Sequence, residues 1–135
     1  MAAAKTIIAR AAADGGALPY AVAITAGRHG LTADEHASMG GGDAGPAPFE
    51  LVLSGLAACT AITLRMYAER KAWPLEGVHL ELRYVLDEGH TYIEREIRLA
   101  GALEDDQRTR LEDIAERTPV TLALKSGLEI RTRLA

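Results

Sequence analysis

One long apolar stretch constrains the fold of this chain more than any other feature. Residues 48 to about 71 contain no proline after Pro48 and predict a helix with apolar side chains on every face. Such a helix is roughly 35 Å long at about 1.5 Å per residue, which is large for a domain of this size. Because a sheet covers only one side of a helix, we expect a second subunit to cover another side.

Shorter patterned segments flank this helix and predict an α+β fold. Strands are predicted at residues 6–9, 20–25 and 31–34 before the helix, and an alternating hairpin at 78–84 and 93–99 after it. Asp105 and Asp106 predict the start of a second helix. Thr118 followed by Pro119 predicts a short third helix over residues 120–125, and residues 128–134 predict a closing strand. No repeat or linker divides the chain, so residues 1–135 are expected to form one domain.

Composition and charge exclude several classes of function. The net charge is −4 and basic residues are interleaved with acidic ones, which argues against a nucleic-acid partner. The longest charge-free stretch, residues 51–64, is shorter than the ~18 residues that a membrane span needs, so no membrane association is expected. A single cysteine cannot form an internal disulfide and no cleavable signal pattern is present. We therefore expect a cytoplasmic protein.

No motif for a metal or a cofactor stands out. The four histidines, at positions 29, 36, 79 and 90, lack the spacing of metal ligands. Neither a phosphate-binding loop nor a dinucleotide fingerprint is present, and the glycine run at 40–42 follows neither pattern. The expectation is a protein with no metal and no cofactor.

The one remaining candidate for chemistry is Cys59, in the middle of the apolar helix. It is either a small buried hydrophobe or a reactive thiol. The reactive species is the thiolate, so a reactive Cys59 needs a nearby cation. Arg28, in the turn Gly27 to Gly30, is a candidate for that cation, and the alternative for Arg28 is a solvated turn residue.

The surroundings of Cys59 resemble the cysteine helix of the OsmC/Ohr family. Residues 42–68 carry the pattern, namely a Gly/Pro loop, Pro48 three residues before a leucine, and Cys59 after two alanines. Residues 114–120 resemble the second site of that family. The likeness covers nearly all of the chain from about Ala23 onward. It is closest to the small OsmC-like branch, which also occurs fused to α/β-hydrolases.

The resemblance implies both a fold and a chemistry. The fold would be antiparallel sheets packed around a buried cysteine helix, in an interlocked homodimer with sites at the interface. In peroxidase members the first cysteine attacks a hydroperoxide and a second cysteine traps the sulfenic acid as a disulfide. An arginine and a glutamate assist the first cysteine. Cys59 matches the attacking cysteine, and Arg28 is the candidate for the arginine.

Two positions depart from the family pattern. Thr118 stands where the second cysteine would be, and a hydroxyl cannot form a disulfide. Phe49 stands where the glutamate would be, with Glu50 one residue further and about 100° around the helix. Glu50 is either a substitute for that glutamate or a carboxylate that stabilises the helix start. Phe49, Glu50 and Thr118 are therefore expected to line the pocket.

Two functions follow from these residues. The first is reduction of organic hydroperoxides, an oxidative stress response, by Cys59 with an external thiol as reductant. The alternative is a non-catalytic dimer of the same fold that binds an apolar small molecule. A third interpretation, a module that was once attached to a hydrolase, is supported only by the resemblance to the branch that occurs fused to hydrolases.

Overall fold

The chain folds into five strands, three α-helices and a short 3₁₀ turn, as seen in a computed structural model that describes residues 4–135. The elements in chain order are β1 (Ala9–Ala12), β2 (Val22–Ala26), β3 (His29–Ala33), the 3₁₀ turn (Ala37–Met39), α1 (Pro48–Arg70), β4 (Gly77–Asp87), β5 (His90–Ala100), α2 (Asp105–Ala115) and α3 (Pro119–Ser126). The predicted α+β class is confirmed. So are the long helix and the hairpin that follows it.

Two compact units make up the chain. The first ends at Val52 and the second is Leu53–Ala135, so that α1 begins in the first unit and continues in the second. The single domain over residues 1–135 stays a prediction.

The first unit contains an antiparallel sheet in the order β1-β2-β3. Ala9 pairs with Ala26 at one end of the first hairpin, and Val22 pairs with Ala33 in the second. The turn between β2 and β3 contains Gly27 with a φ of 60°, a left-handed conformation that glycine adopts without strain. The strands predicted at 20–25 and 31–34 are therefore confirmed as β2 and β3. The strand predicted at 6–9 is misplaced, because the backbone that pairs with β2 is that of Ala9–Ala12.

Asp34, directly after β3, holds the glycine-rich loop that leads to α1. Its buried carboxylate accepts backbone N–H groups from Glu35 at 2.7 Å, Ala44 at 3.1 Å and Gly42 at 3.2 Å. The loop also passes so close to neighbouring backbone that a side chain at Gly41 would overlap the Glu35 carbonyl. The buried Asp34 carboxylate and the close backbone contact at Gly41 thus fix the path of a segment that has no regular structure.

The second unit packs the hairpin β4–β5 with the three helices. The hairpin is antiparallel from the pair Gly77 and Ala100 to the pair Asp87 and His90. The centre of the core is Leu64 of α1 with Leu111 and Ala115 of α2. Partly buried apolar side chains surround this centre: Tyr67, Trp73, Val78, Ile97, Leu99, Leu103 and Ile114.

Only one stripe of α1 is buried. It repeats every four residues and consists of Leu56, Thr60, Leu64 and Ala68. Apolar side chains on the other faces are exposed, among them Phe49, Val52, Ile62 and Met66. By length and composition alone α1 could cross a membrane, but it carries a buried stripe, and Leu64 of that stripe lies in the core cluster of the second unit.

The strand predicted at residues 128–134 is wrong. Residues 127–135 form no strand, and Leu128, Ile130 and Leu134 are exposed. Alternation of apolar and polar residues describes the two faces of a strand, but a strand also needs a neighbour for its backbone hydrogen bonds. Within the described residues, no strand pairs with this segment.

Replacing Asp34 by Asn is expected to destabilise the fold at neutral pH and less so in acid. The Ala44 N–H first, then those of Glu35 and Gly42, hold the pKa of Asp34 below its usual range. A carboxyl group of this kind stabilises the fold above its unfolded pKa of about 4, and that stabilisation is lost as the pH falls through the lower, folded value. Urea unfolding midpoints of wild type and Asp34→Asn, compared at about pH 7 and about pH 3, measure the difference.

The exposed Asp14 provides the matched control. Asp14→Asn should leave the urea midpoint unchanged at both pH values. If Asp34→Asn lowers the urea midpoint by the same amount at both pH values, the ionic role of Asp34 is contradicted.

Candidate functional site

Cys59 lies in the middle of α1 and is half-buried. Gly55, Ile62 and Met66 follow the same side of the helix at intervals of three or four residues. Ile62 and Met66 are exposed apolar side chains. The thiol therefore belongs to the side of α1 that its own chain leaves largely uncovered.

The next residue, Thr60, faces the interior and is fully buried. Its Oγ1 donates to the Leu56 carbonyl at 2.7 Å and accepts from an Nη of Arg95 at 2.9 Å. Arg95, on β5, also donates to Thr121 Oγ1 at 2.9 Å and to the Ala115 carbonyl at 3.0 Å. One guanidinium thus joins α1, α2 and α3 directly behind the turn of helix that carries Cys59.

Thr118 is the N-cap of α3 and is fully buried. Its Oγ1 lies 2.6 Å from Thr121 Oγ1 and accepts the Thr121 N–H at 3.4 Å. Thr121 Oγ1 in turn donates to the Ala115 carbonyl at 3.3 Å. Because the Thr118 hydroxyl takes part in this network, the residue has a structural role as a helix cap.

The other predicted site residues belong to the first unit. Arg28 is exposed in the β2–β3 turn and forms no salt bridge with the described residues. Phe49, in the first turn of α1, is about half exposed. Glu50 Oε1 accepts the Ala47 N–H at 2.8 Å and lies 3.5 Å from His36 Nε2. Glu50 therefore stabilises the helix start, and the pocket roles of Arg28, Phe49 and Glu50 stay predictions.

The sequence analysis did not single out Arg95, which lies in the alternating segment 93–99 of the predicted hairpin. The signal was present in the alternation of β5. Ile93, Arg95 and Ile97 occupy alternate positions and all three are partly buried, whereas Glu94 and Glu96 are exposed. An arginine in register with inward-facing isoleucines has to be hydrogen-bonded inside the domain.

The described residues contain no group of three His, Cys, Asp or Glu side chains placed to hold a metal ion.

Comparison with known proteins matches most of this chain to one family model. The family model described as OsmC-like protein matches residues 40–133. The comparison with curated proteins gave no match.

Solved structures share the fold. A protein from Psychrobacter arcticus, described as an osmotic stress induced and detoxification response protein, is 15% identical, with a TM-score of 0.74 over 91% of this chain and 90% of that one. An organic hydroperoxide resistance protein from Legionella pneumophila is 24% identical, with a TM-score of 0.65 over 92% of each chain. One from Vibrio cholerae with captopril in an active site is 20% identical, with a TM-score of 0.65 over 93% and 88%. These likenesses confirm the α+β fold with antiparallel sheets that the resemblance implies, whereas the interlocked homodimer stays a prediction.

Replacing Thr118 by Val is expected to lower the free energy of unfolding by about 1–2 kcal/mol, because the valine leaves the first turn of α3 uncapped in a buried place. Urea denaturation measures the loss. Thr109→Val in α2 is the matched control, since the Thr109 hydroxyl bonds the Asp105 carbonyl at an exposed position. The control should stay within about 0.5 kcal/mol of wild type. Equal losses in the two variants would show that the buried cap contributes nothing specific.

Proposed function

The chain belongs to the OsmC-like protein family, and from this premise we propose that it reduces organic hydroperoxides through Cys59. Two of the structural neighbours are described as organic hydroperoxide resistance proteins. The observation that carries the proposal is the position of Cys59, half-buried on an apolar helix face with exposed Ile62 and Met66. Such a face suits a thiol that meets a hydroperoxide with an apolar body.

The proposed reaction has two stages. The Cys59 thiolate attacks the outer oxygen of the hydroperoxide, so that an S–O bond forms, the O–O bond breaks and the alcohol leaves after taking up a proton. Cys59 is then a sulfenic acid. An external thiol condenses with it, releasing water and leaving a mixed disulfide, and a second thiol displaces the first to restore Cys59. The sum is one hydroperoxide and two thiols giving alcohol, water and a disulfide.

The need for an external thiol follows from the residues present. The chain has one cysteine, and the position that resembles the family's second site is Thr118. The Thr118 hydroxyl is buried and hydrogen-bonded to Thr121. A compartment rich in small thiols would supply the reductant, which supports a cytoplasmic location.

We assign the activation of the thiol to Arg28. A thiolate is favoured by a nearby cation, and none of the salt bridges among the described residues involves the Arg28 guanidinium. In the same scheme Phe49 supplies an apolar wall. Glu50 and Thr118 contribute through the local structures that they hold, the start of α1 and the start of α3.

A second copy of the chain is proposed to cover the open face of α1. Gly55, Cys59, Ile62 and Met66 follow the three- and four-residue spacing that lets one helix pack against another. Apolar side chains on such a face are stabilised when they are removed from water. In this arrangement a homodimer would enclose the thiol in an apolar setting.

Cys59→Ser is expected to abolish hydroperoxide consumption, because the serine hydroxyl cannot form the sulfenic intermediate. The measurement follows cumene hydroperoxide and hydrogen peroxide in excess dithiothreitol, with wild type and variant in parallel. Wild type should turn over the organic peroxide faster than hydrogen peroxide. Arg28→Gln should lower the rate of cumene hydroperoxide consumption about tenfold, because a loss of about 1.4 kcal/mol of thiolate stabilisation corresponds to that factor.

Consumption at the background rate by both wild type and Cys59→Ser would reject the peroxidase. That outcome would favour the binding alternative.

Ile62→Glu is expected to weaken self-association at least about tenfold, because a carboxylate on this face would be buried without a partner. Sedimentation velocity over a range of protein concentrations measures the dissociation constant. Leu86, which is 75% exposed near the β4–β5 turn, provides the matched control, and Leu86→Glu should associate like wild type. A monomeric wild type, or equal effects of the two substitutions, would contradict the proposed interface.

A further inference from the structure

The second unit contains a cavity of about 550 Å³ whose lining residues do not include Cys59. It is bounded by the hairpin β4–β5, the buried side of α1, the C-cap of α2 and the start and end of α3. The lining residues are Leu56, Tyr84, Thr91, Tyr92, Ile93, Arg95, Glu116, Thr121, Leu124 and Lys125. We propose that this cavity binds an organic acid with an apolar body and a single carboxylate. This binding goes beyond the proposed peroxide chemistry and does not depend on it.

One part of the cavity is apolar. Leu56, Ile93 and Leu124 supply aliphatic surface, and the two phenol rings of Tyr84 and Tyr92 add flat aromatic surface. Tyrosine rings present an apolar body together with a polar tip, so they suit a ligand with both characters. A ring or a short branched chain is the body that this lining fits.

The other part of the cavity carries a surplus of positive charge. Arg95 and Lys125 are cationic, and Glu116 is the only carboxylate among the lining residues. The Lys125 ammonium hydrogen-bonds Glu116 Oε2, whereas the Arg95 guanidinium is 3.8 Å from Glu116 Oε1. The bond from Lys125 lowers the pKa of Glu116, and the charge of Arg95 adds to the shift. Glu116 is therefore ionised at neutral pH, and the three side chains together carry one net positive charge.

Arg95 is the cation least well neutralised. Its side chain is only 12% exposed, and its hydrogen bonds go to neutral acceptors, the Thr60 and Thr121 hydroxyls and the Ala115 carbonyl. Glu116 is shared with Lys125. A buried guanidinium gains most from a carboxylate placed beside it. A ligand carboxylate between Arg95 and Lys125 would supply the missing charge.

This charge balance selects the ligand class. A purely apolar ligand would bury the cations further without neutralising them, which costs free energy. A polyanion would bring more negative charge than one surplus cation can balance. The cavity therefore favours a monocarboxylate over the apolar molecule expected in the binding alternative.

The test is isothermal titration calorimetry of the full chain at low ionic strength with 3-phenylpropanoate and with its neutral analogue 3-phenylpropan-1-ol. The acid is expected to bind at least about fivefold more tightly than the alcohol, as for one partly exposed ion pair. Equal affinities, or no heat from the acid at millimolar concentration, would overturn the proposal.

Two substitutions in the cavity should act in opposite directions, which separates a charge effect from a folding defect. Lys125→Gln should weaken binding of the acid about three- to fivefold, and Glu116→Gln should tighten it by a similar factor because the competing carboxylate is gone. Lys71→Gln is the matched control, since Lys71 lies over the Tyr67 ring and not in the cavity. Weakening by both cavity substitutions, or an equal effect at Lys71, would overturn the assignment.

Cys59→Ser separates this proposal from the peroxidase. The variant should bind the acid as wild type does while it consumes no hydroperoxide. If wild type binds the acid but consumes no hydroperoxide, only the cavity proposal is supported. If wild type consumes hydroperoxide but binds no acid, only the peroxidase proposal is supported.

Discussion

A helix that is apolar on all sides has to be covered on all sides, and this chain covers one stripe of α1. Leu56, Thr60, Leu64 and Ala68 face the core, whereas Ile62 and Met66 remain exposed on the side that carries Cys59. Burial of apolar surface is the main favourable term in association as well as in folding. The incomplete burial of α1 therefore affects both the assembly of this protein and the environment of its thiol.

The interior side of α1 is organised differently, by hydrogen bonds around Arg95. The guanidinium reaches Thr60, Thr121 and the Ala115 carbonyl, and Thr118 completes the set by bonding Thr121. Buried polar groups of this kind stabilise a fold only when every member is satisfied, and none of the buried side-chain polar atoms among the described residues lacks a partner. Thr118 is therefore part of a packed and hydrogen-bonded structural network.

Most of the fold was predictable from local sequence patterns, because most of its helices and strands are determined by the residues within them. The long helix, the hairpin β4–β5, and the Thr118 cap with Pro119 were all readable from spacing and cap chemistry. The strand at 128–134 failed because pairing depends on a neighbour that the local pattern does not contain. The role of Arg95 was missed for a related reason. A charge on a strand looks solvated until its register with Ile93 and Ile97 is followed.

The proposed chemistry and the proposed dimer constrain each other at Cys59. A second copy that covers this face of α1 would shield the thiolate from water, yet a hydroperoxide and then an external thiol must still reach it. Gly55, one turn before Cys59 on the same side, offers a way to meet both needs. A side chain added at Gly55 would meet no atom within 4 Å, so this end of the face is open in a single subunit. A contact formed by Ile62 and Met66 could then close one side of the site while the side at Gly55 stays accessible.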